Sequence, residues 1–219
     1  MRRIRIGTRA SRLALAQVNE VVRRFGIGEY AIVVYDTSGD IDKDTPIAEV
    51  EGTDFFTDRI ERALLRKEID LAVHSAKDLP DRIPEGLMIV ATTESIDKDD
   101  VLVSKGNLKL SELPAGAKVG TSSRRRKESL LMLRSDLEII DLRGNIEERM
   151  EKLDRGEYAA IVIAAAGLIR LGLEHRIAER LPFETAPGQG ALALEIRKED
   201  KELYAWLKPC LPAGREKSI

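Results

Sequence analysis

Val119-Gly120-Thr121-Ser122-Ser123-Arg124-Arg125-Arg126-Lys127 is the stretch whose pattern sets the fold class. A short apolar strand ends at a glycine, hydroxyl residues suited to capping follow, and a helix opens. The same device stands near the start of the chain, as Ile6-Gly7-Thr8-Arg9-Ala10-Ser11-Arg12. Two strand–turn–helix openings of one design predict two similar lobes.

The chain between and after them keeps the alternation. Apolar runs predict strands at Arg3–Ile6, Ala31–Tyr35, Ile69–Val73, Leu87–Ala91, Val101–Val103, Lys118–Gly120, Leu137–Asp141, Ala160–Ala164 and Ala191–Ile196. Helical spacing predicts helices at Ser11–Phe25, Thr57–Leu65, Ser123–Leu133, Asn145–Leu153 and Lys198–Leu207, with Asn145 as an N-cap. This is an α/β chain, with two lobes of mixed, mostly parallel sheet flanked by helices. The expected division is residues 1–95 plus 190–219 as one domain and 96–189 as the other.

Composition excludes several classes. Hydrophobic residues make up 43% and charged residues 34%, a folded balance, and the formal net charge is −2. That charge lacks the basic bias of general nucleic-acid binding, and 4% aromatic residues argue against stacking on single strands. The longest apolar run, Ala159–Leu168, is too short to cross a bilayer. One cysteine, Cys210, allows no internal disulfide and fits a reducing, cytoplasmic setting. With two histidines beside it, a structural zinc site is not expected.

The local charge pattern is more telling. Arg124, Arg125, Arg126 and Lys127 crowd the first turns of a helix, where the dipole already places positive charge. An anion bound at that helix start would justify them; a solvated basic face is the plainer alternative. Thr8, Arg9, Ser11 and Arg12 repeat the arrangement in the first lobe. Arg143, in the turn Asp141-Leu142-Arg143-Gly144-Asn145, together with Arg149 and Arg170, extends the set. Arginine forks of this kind suit a ligand with several carboxylates. In Asp70-Leu71-Ala72-Val73-His74-Ser75-Ala76-Lys77-Asp78-Leu79-Pro80 a buried strand ends in polar residues, where open α/β sheets bind ligands. Asp78 is either an acid/base carboxylate or, with His74, the hydrogen-bonding stay of a turn before Pro80. Thr185-Ala186-Pro187-Gly188-Gln189-Gly190-Ala191 reads as a hinge or a close backbone approach.

Taken in order, these segments resemble the porphobilinogen deaminase (hydroxymethylbilane synthase) family from about residue 3 to about residue 205. The resemblance rests on Gly-Thr-Arg-x-Ser-x-Leu-Ala-Leu-x-Gln at 7–17, Asp-Leu-Ala-Val-His-Ser-x-Lys-Asp-Leu-Pro at 70–80 and Val-Gly-Thr-Ser-Ser-x-Arg-Arg at 119–126. Leu-Arg-Gly-Asn at 142–145 and Gly-Gln-Gly-Ala at 188–191 complete it. It implies lobes folded like type II periplasmic binding proteins, and a transferase of tetrapyrrole (heme, porphyrin) biosynthesis. Such an enzyme condenses four porphobilinogen molecules into a linear tetrapyrrole on a dipyrromethane cofactor, with release of ammonia. It further implies Asp78 as the catalytic carboxylate. Arg9, Ser11, Lys77, Thr121, Ser122, Ser123, Arg125, Arg126, Arg143, Arg149 and Arg170 would bind substrate and cofactor. No nucleic acid, membrane or metal is implied. A monomer is expected, or a pairing with a separate third-domain chain.

Two departures qualify the resemblance. The family's third domain, with its Glu-Gly-Gly-Cys-x-Val-Pro segment for the cofactor, has no counterpart in these residues. Cys210, in Leu207-Lys208-Pro209-Cys210-Leu211-Pro212, is read as a lone thiol, with cofactor attachment there as the lesser alternative. The loop before Phe56 carries Glu49, Glu51, Thr53 and Asp54 where the family has a lysine-bearing Gly-x-Lys-x-Leu-Phe pattern. A pyrrole- or polycarboxylate-binding module without catalysis is therefore the alternative to the enzyme.

Overall fold

The computed structural model describes residues 3–42, 45, 50 and 52–207. The chain forms two compact units. Unit 1 takes Met1–Ser38, Gly52–Ser95 and Ala191–Ile219, and unit 2 takes Gly39–Glu51 and Ile96–Gly190.

The strands of unit 1 are β1 (Ile4–Arg9), β2 (Tyr30–Tyr35), β3 (Leu71–Ser75), β4 (Leu87–Thr92) and β10 (Leu192–Arg197), in the spatial order β2-β1-β3-β10-β4. β1 runs parallel to β2 and β3, whereas β10 lies antiparallel between β3 and β4. Alternate strand residues face opposite sides. Ile4, Ile6, Leu71, Val73, Leu192, Leu194 and Ile196 pack with Val18 and Val21 of α1 (Arg12–Phe25) and with Leu203 and Leu207 of α7 (Lys201–Leu207). Ala72 on the other face packs with Ile60, Ala63 and Leu64 of α3 (Asp58–Leu65). A short turn, α2 (Ser38–Ile41), follows β2.

Unit 2 repeats the plan with β5 (Asp100–Ser104), β6 (Lys118–Gly120), β7 (Glu138–Ile140), β8 (Ala160–Ala164) and β9 (Glu179–Leu181), in the order β7-β6-β8-β5-β9. β6 is parallel to β7 and β8, and β5 is antiparallel to β8 and β9. Val119, Ala160 and Val162 pack against Leu130 of α4 (Arg124–Leu133). Ile161 and Ile163 pack against Met150 and Leu153 of α5 (Ile146–Asp154) and Leu168 of α6 (Ala165–Leu171). The expected mixed sheets are present, with parallel and antiparallel neighbours in equal number. β10, the last strand of unit 1, and β5, the first of unit 2, supply the antiparallel pairs.

Packing requires the echoed glycines. Neither Gly7 nor Gly120 has a positive φ, so a tight turn does not require them. A Cβ on Gly7 would collide with Ile69 Cδ1 and sit 3.4 Å from Ile60 Cγ2. A Cβ on Gly120 would lie 2.9 Å from Tyr158 Cδ1 and 3.1 Å from Ile161 Cγ2. In both units the glycine lets bulky neighbours close over the strand.

Asn145 caps α5 as expected. Its side chain accepts from the Glu148 N–H at 2.9 Å, and the Glu148 carboxylate accepts from the Asn145 N–H at 2.8 Å. Among the described residues, no helix is long and apolar enough to cross a membrane. Cys210, Glu49 and Glu51 lie outside the described residues.

Candidate functional site

In unit 1, β3 ends at Ser75 and the chain tightens into a single 3₁₀ turn, Ala76–Asp78. The turn brings half-buried Asp78 to a pocket that Thr8, Arg9, Ser11, Gln17, Phe56 and His74 also line. Lys77 is exposed beside it. Ser11 serves the fold as well, since its hydroxyl accepts from the Ala14 N–H at 3.2 Å and caps α1. The Arg9 guanidinium carbon stands 4.9 Å from the centre of the Phe56 ring, a cation–π distance. Gln17 donates to the Ser75 hydroxyl at 2.9 Å, tying α1 to the end of β3.

In unit 2, Thr121, Ser122 and Ser123 lead into α4. Ser123 is its N-cap residue but makes no side-chain cap, and its first turn holds no acid. The hydroxyls are used in the loop. Ser122 Oγ donates to the Leu142 carbonyl at 3.0 Å and accepts from the Leu142 N–H at 2.9 Å, while Thr121 Oγ1 accepts from the Ser123 N–H at 3.3 Å. The first-turn N–H groups of α4 therefore have no side-chain cap of the kind that α1 and α5 possess.

The arginines separate into two kinds. Arg126 is buried: Nε and Nη2 hold Asp100 Oδ1 at 2.9 and 2.7 Å, Nη1 donates to the Val162 carbonyl at 3.3 Å, and Nη2 also reaches Gln189 Oε1 at 3.3 Å. Arg125 donates to Asp100 Oδ2 at 2.6 Å and to the Glu184 carbonyl, and remains partly exposed. Burial works to raise the Asp100 pKa, but the charges and hydrogen bonds of Arg126, Arg125 and Gln189 outweigh it and hold the carboxyl below its usual range.

The remaining cations are half-buried and steadied by backbone carbonyls. Arg143 donates to Asp42 and Thr45, Arg149 to Gly144 at 2.7 Å, and Arg170 to Gly190 at 3.0 Å. These carbonyls help to orient the guanidinium groups.

A family model described as "Porphobilinogen deaminase, dipyromethane cofactor binding domain" matches residues 4–205. The chain belongs to the porphobilinogen deaminase family. It is similar to porphobilinogen deaminases of Chlorobium limicola (47% identity over 204 residues, 90% of this chain and 65% of the relative) and Pelobacter propionicus (48% over 206 residues, 91% and 66%). The chain thus spans just under two thirds of these relatives' length. Among solved structures it is similar to an ancestral cationic amino acid solute-binding protein (TM-score 0.56, 16% identity, covering 94% of this chain and 87% of that one). It is also similar to a Bacillus subtilis lipoprotein (TM-score 0.53, 13% identity, covering 95% and 89%). At these identities the likeness speaks for the fold, that of the type II periplasmic binding proteins.

The donors fit the cofactor that gives the matched domain its name. Dipyrromethane bears acetate and propionate carboxylates. Unit 2 offers a helix start without a side-chain cap, carbonyl-oriented arginines, and an Asp100 already gripped by two cations. Asp100, Gln17, Phe56 and Gln189 were missed as candidates. Gln17 and Gln189 lie inside the quoted motifs, but nothing local marks Asp100, whose partners Arg125 and Arg126 follow it by about 25 residues.

Proposed function

We propose that this chain binds porphobilinogen and dipyrromethane carboxylates and carries the condensing acid of a hydroxymethylbilane synthase. Four porphobilinogen molecules would join head to tail with loss of ammonia. The supporting observation is the place of Asp78: a carboxylate on a tight turn at a strand end, half-buried, in a pocket that also holds Arg9, Gln17 and Ser75. Bound dipyrromethane would supply the pyrrole carbon to which the first unit is joined. Asp78 would stabilise positive charge on a pyrrole nitrogen and take up the proton lost from the reacting ring carbon. Arg125, Arg143, Arg149 and Arg170, with the α4 backbone and with Arg9, Ser11 and Lys77, would bind the carboxylates. Thr121, Ser122 and Ser123 would shape the loop that presents them. Arg126 would act indirectly, by fixing Asp100. A lone cysteine, read as a thiol kept reduced, underlies the cytoplasmic assignment.

The test is incubation of the purified chain with porphobilinogen, following substrate loss, ammonia and intact protein mass. Turnover that collapses in Asp78→Asn while porphobilinogen affinity changes little supports the reading. Binding without turnover in the unaltered chain supports the carboxylate-binding module instead. An affinity loss in Asp78→Asn as large as the rate loss removes the catalytic role.

A further inference from the structure

A buried polar cluster lies beneath the pocket of unit 1, on the sheet face covered by α3. β3 and β10 pair with Ala193 opposite His74 and Glu195 opposite Ala72, so His74 and Glu195 are diagonal neighbours on one face. A register shift in the β4 pairing falls between Leu194 and Glu195, and such irregularities re-aim side chains. His74 Nε2 and Glu195 Oε2 are 2.9 Å apart. α3 lowers Glu61 onto the same face, where Glu195 and His74 both act on it electrostatically. Exposure is 2% for Glu61, 5% for His74 and 0% for Glu195, so solvent cannot serve these carboxylates.

Their hydrogen-bond accounting is incomplete. Glu61 Oε1 and Glu195 Oε1 are buried and have no hydrogen-bond partner among the described residues. Two buried carboxylates beside a single imidazole leave at least one uncompensated anion, which is costly. The other charged groups facing the cluster do not remove this cost. Arg197 is held by the Leu64 and Ile69 carbonyls and by Asp70 and Asp200. Asp58 is bound by Ser38 and Arg62, and Asp54 adds negative charge. Arg9 stands over Phe56. One proton on Glu61 removes one of the cluster's negative charges and leaves Glu61 able to donate. Burial and the Glu195 charge push the Glu61 carboxyl up to about 7.

We propose that Glu61 is held as a neutral carboxylic acid which keeps Glu195 a carboxylate, and that Glu195 in turn fixes His74 with its proton on Nε2, at the wall of the pocket lined by Asp78. Glu61 and Glu195 are then positioning residues acting through His74. The ring's other nitrogen is left as an acceptor whenever His74 is neutral. This assignment rests on the reading of Asp78 as the acid of the condensation, but its first test needs no turnover.

Infrared spectra of the protein in D₂O should show the carbonyl stretch of a protonated buried carboxyl at neutral pH, lost in Glu61→Gln. ¹⁵N spectra should show His74 protonated on Nε2, with exposed His175 as the internal reference. Glu61→Gln, which still donates, should keep that tautomer, and Glu61→Leu should lose it while a thermal melt shows the chain folded. A neutral-pH infrared band absent from the unaltered protein, or one indifferent to Glu61→Gln, overturns the assignment. So does a tautomer unchanged in folded Glu61→Leu. If the band and tautomer behave as expected but porphobilinogen is not consumed, the catalytic reading of Asp78 fails and the positioning triad stands. If porphobilinogen is consumed, Glu61→Gln should remove a step near pH 7 from its pH–rate profile, and an unaltered step counts against the triad.

Discussion

Arg126 holds Asp100 from the side of unit 2's core, with Nε and Nη2 on Oδ1 at 2.9 and 2.7 Å and a wholly buried carboxylate as the acceptor. Arg125, one residue earlier, takes Oδ2 at 2.6 Å. Two adjacent cations thus share one acid, and of the two Arg125 also meets solvent.

Removing the acid should strand both charges. Asp100→Ala is expected to cost unit 2 about 3–5 kcal/mol, the usual penalty for breaking a buried pair from one side. A urea melt with the m-value held constant measures it. Acid should act in the same direction. The Asp100 carboxyl lies below its usual range when folded, so its stabilisation is complete above the unfolded pKa and fades as pH falls through the folded value.

Arg125 and Arg126 should respond differently to truncation. Arg125→Ala should weaken porphobilinogen or dipyrromethane binding by about 1.5–3 kcal/mol, the worth of a charged hydrogen bond, with little change in the melt. Arg126→Ala should destabilise unit 2 first and affect binding through that loss. Calorimetric titration beside a thermal melt of each variant separates the two effects.

Glycine at position 120 is expected to be irreplaceable for packing. Gly120→Ala would set a methyl 2.9 Å from Tyr158 Cδ1. Tyr158 is anchored by donating to the Asp141 carbonyl at 2.8 Å, so it cannot swing away freely. A loss of about 1–3 kcal/mol is expected from overpacking. Gly120→Ala combined with Tyr158→Leu should recover part of it.

The pH dependence of unit 1 should carry the mark of Glu61. Its carboxyl rises from an ordinary 4.5 to about 7 on folding, so between those values the native state binds the extra proton. Stability should therefore fall as pH climbs from about 4.5 to about 7 and level off above. Glu61→Gln should flatten this slope while leaving the acid side unchanged, as followed by denaturant midpoints across that range.

The sequence pattern located nearly all the strands and helices, because apolar periodicity and caps such as Asn145 are local signals. β9 escaped notice: Glu179-Arg180-Leu181 is polar and short, and becomes a strand only because β5 offers an edge. The loop motifs carrying Asp78 and Arg143 were legible for a similar reason, since each stands beside a glycine, proline or strand end. Pairings across long separations were not legible. Arg126 read as one of a run of cations for a bound anion until its buried partner Asp100 was in view. His74 read as a prop for the turn before Pro80, yet it is a strand residue bonded to a carboxylate 121 positions away.

The position of β10 carries one more consequence, for the order in which the molecule is made. β3 and β4 cannot be bridged until residues 192–197 arrive between them, whereas the sheet of unit 2 draws on residues 100–181 alone. On a ribosome, unit 2 has every strand it needs while unit 1 is still missing its inner one. Glu195 arrives with that strand, so His74 waits for its partner until the sheet closes. A nascent chain stalled before β10 should already protect unit 2 from protease, and leave unit 1 open to cleavage until the last strand is inserted.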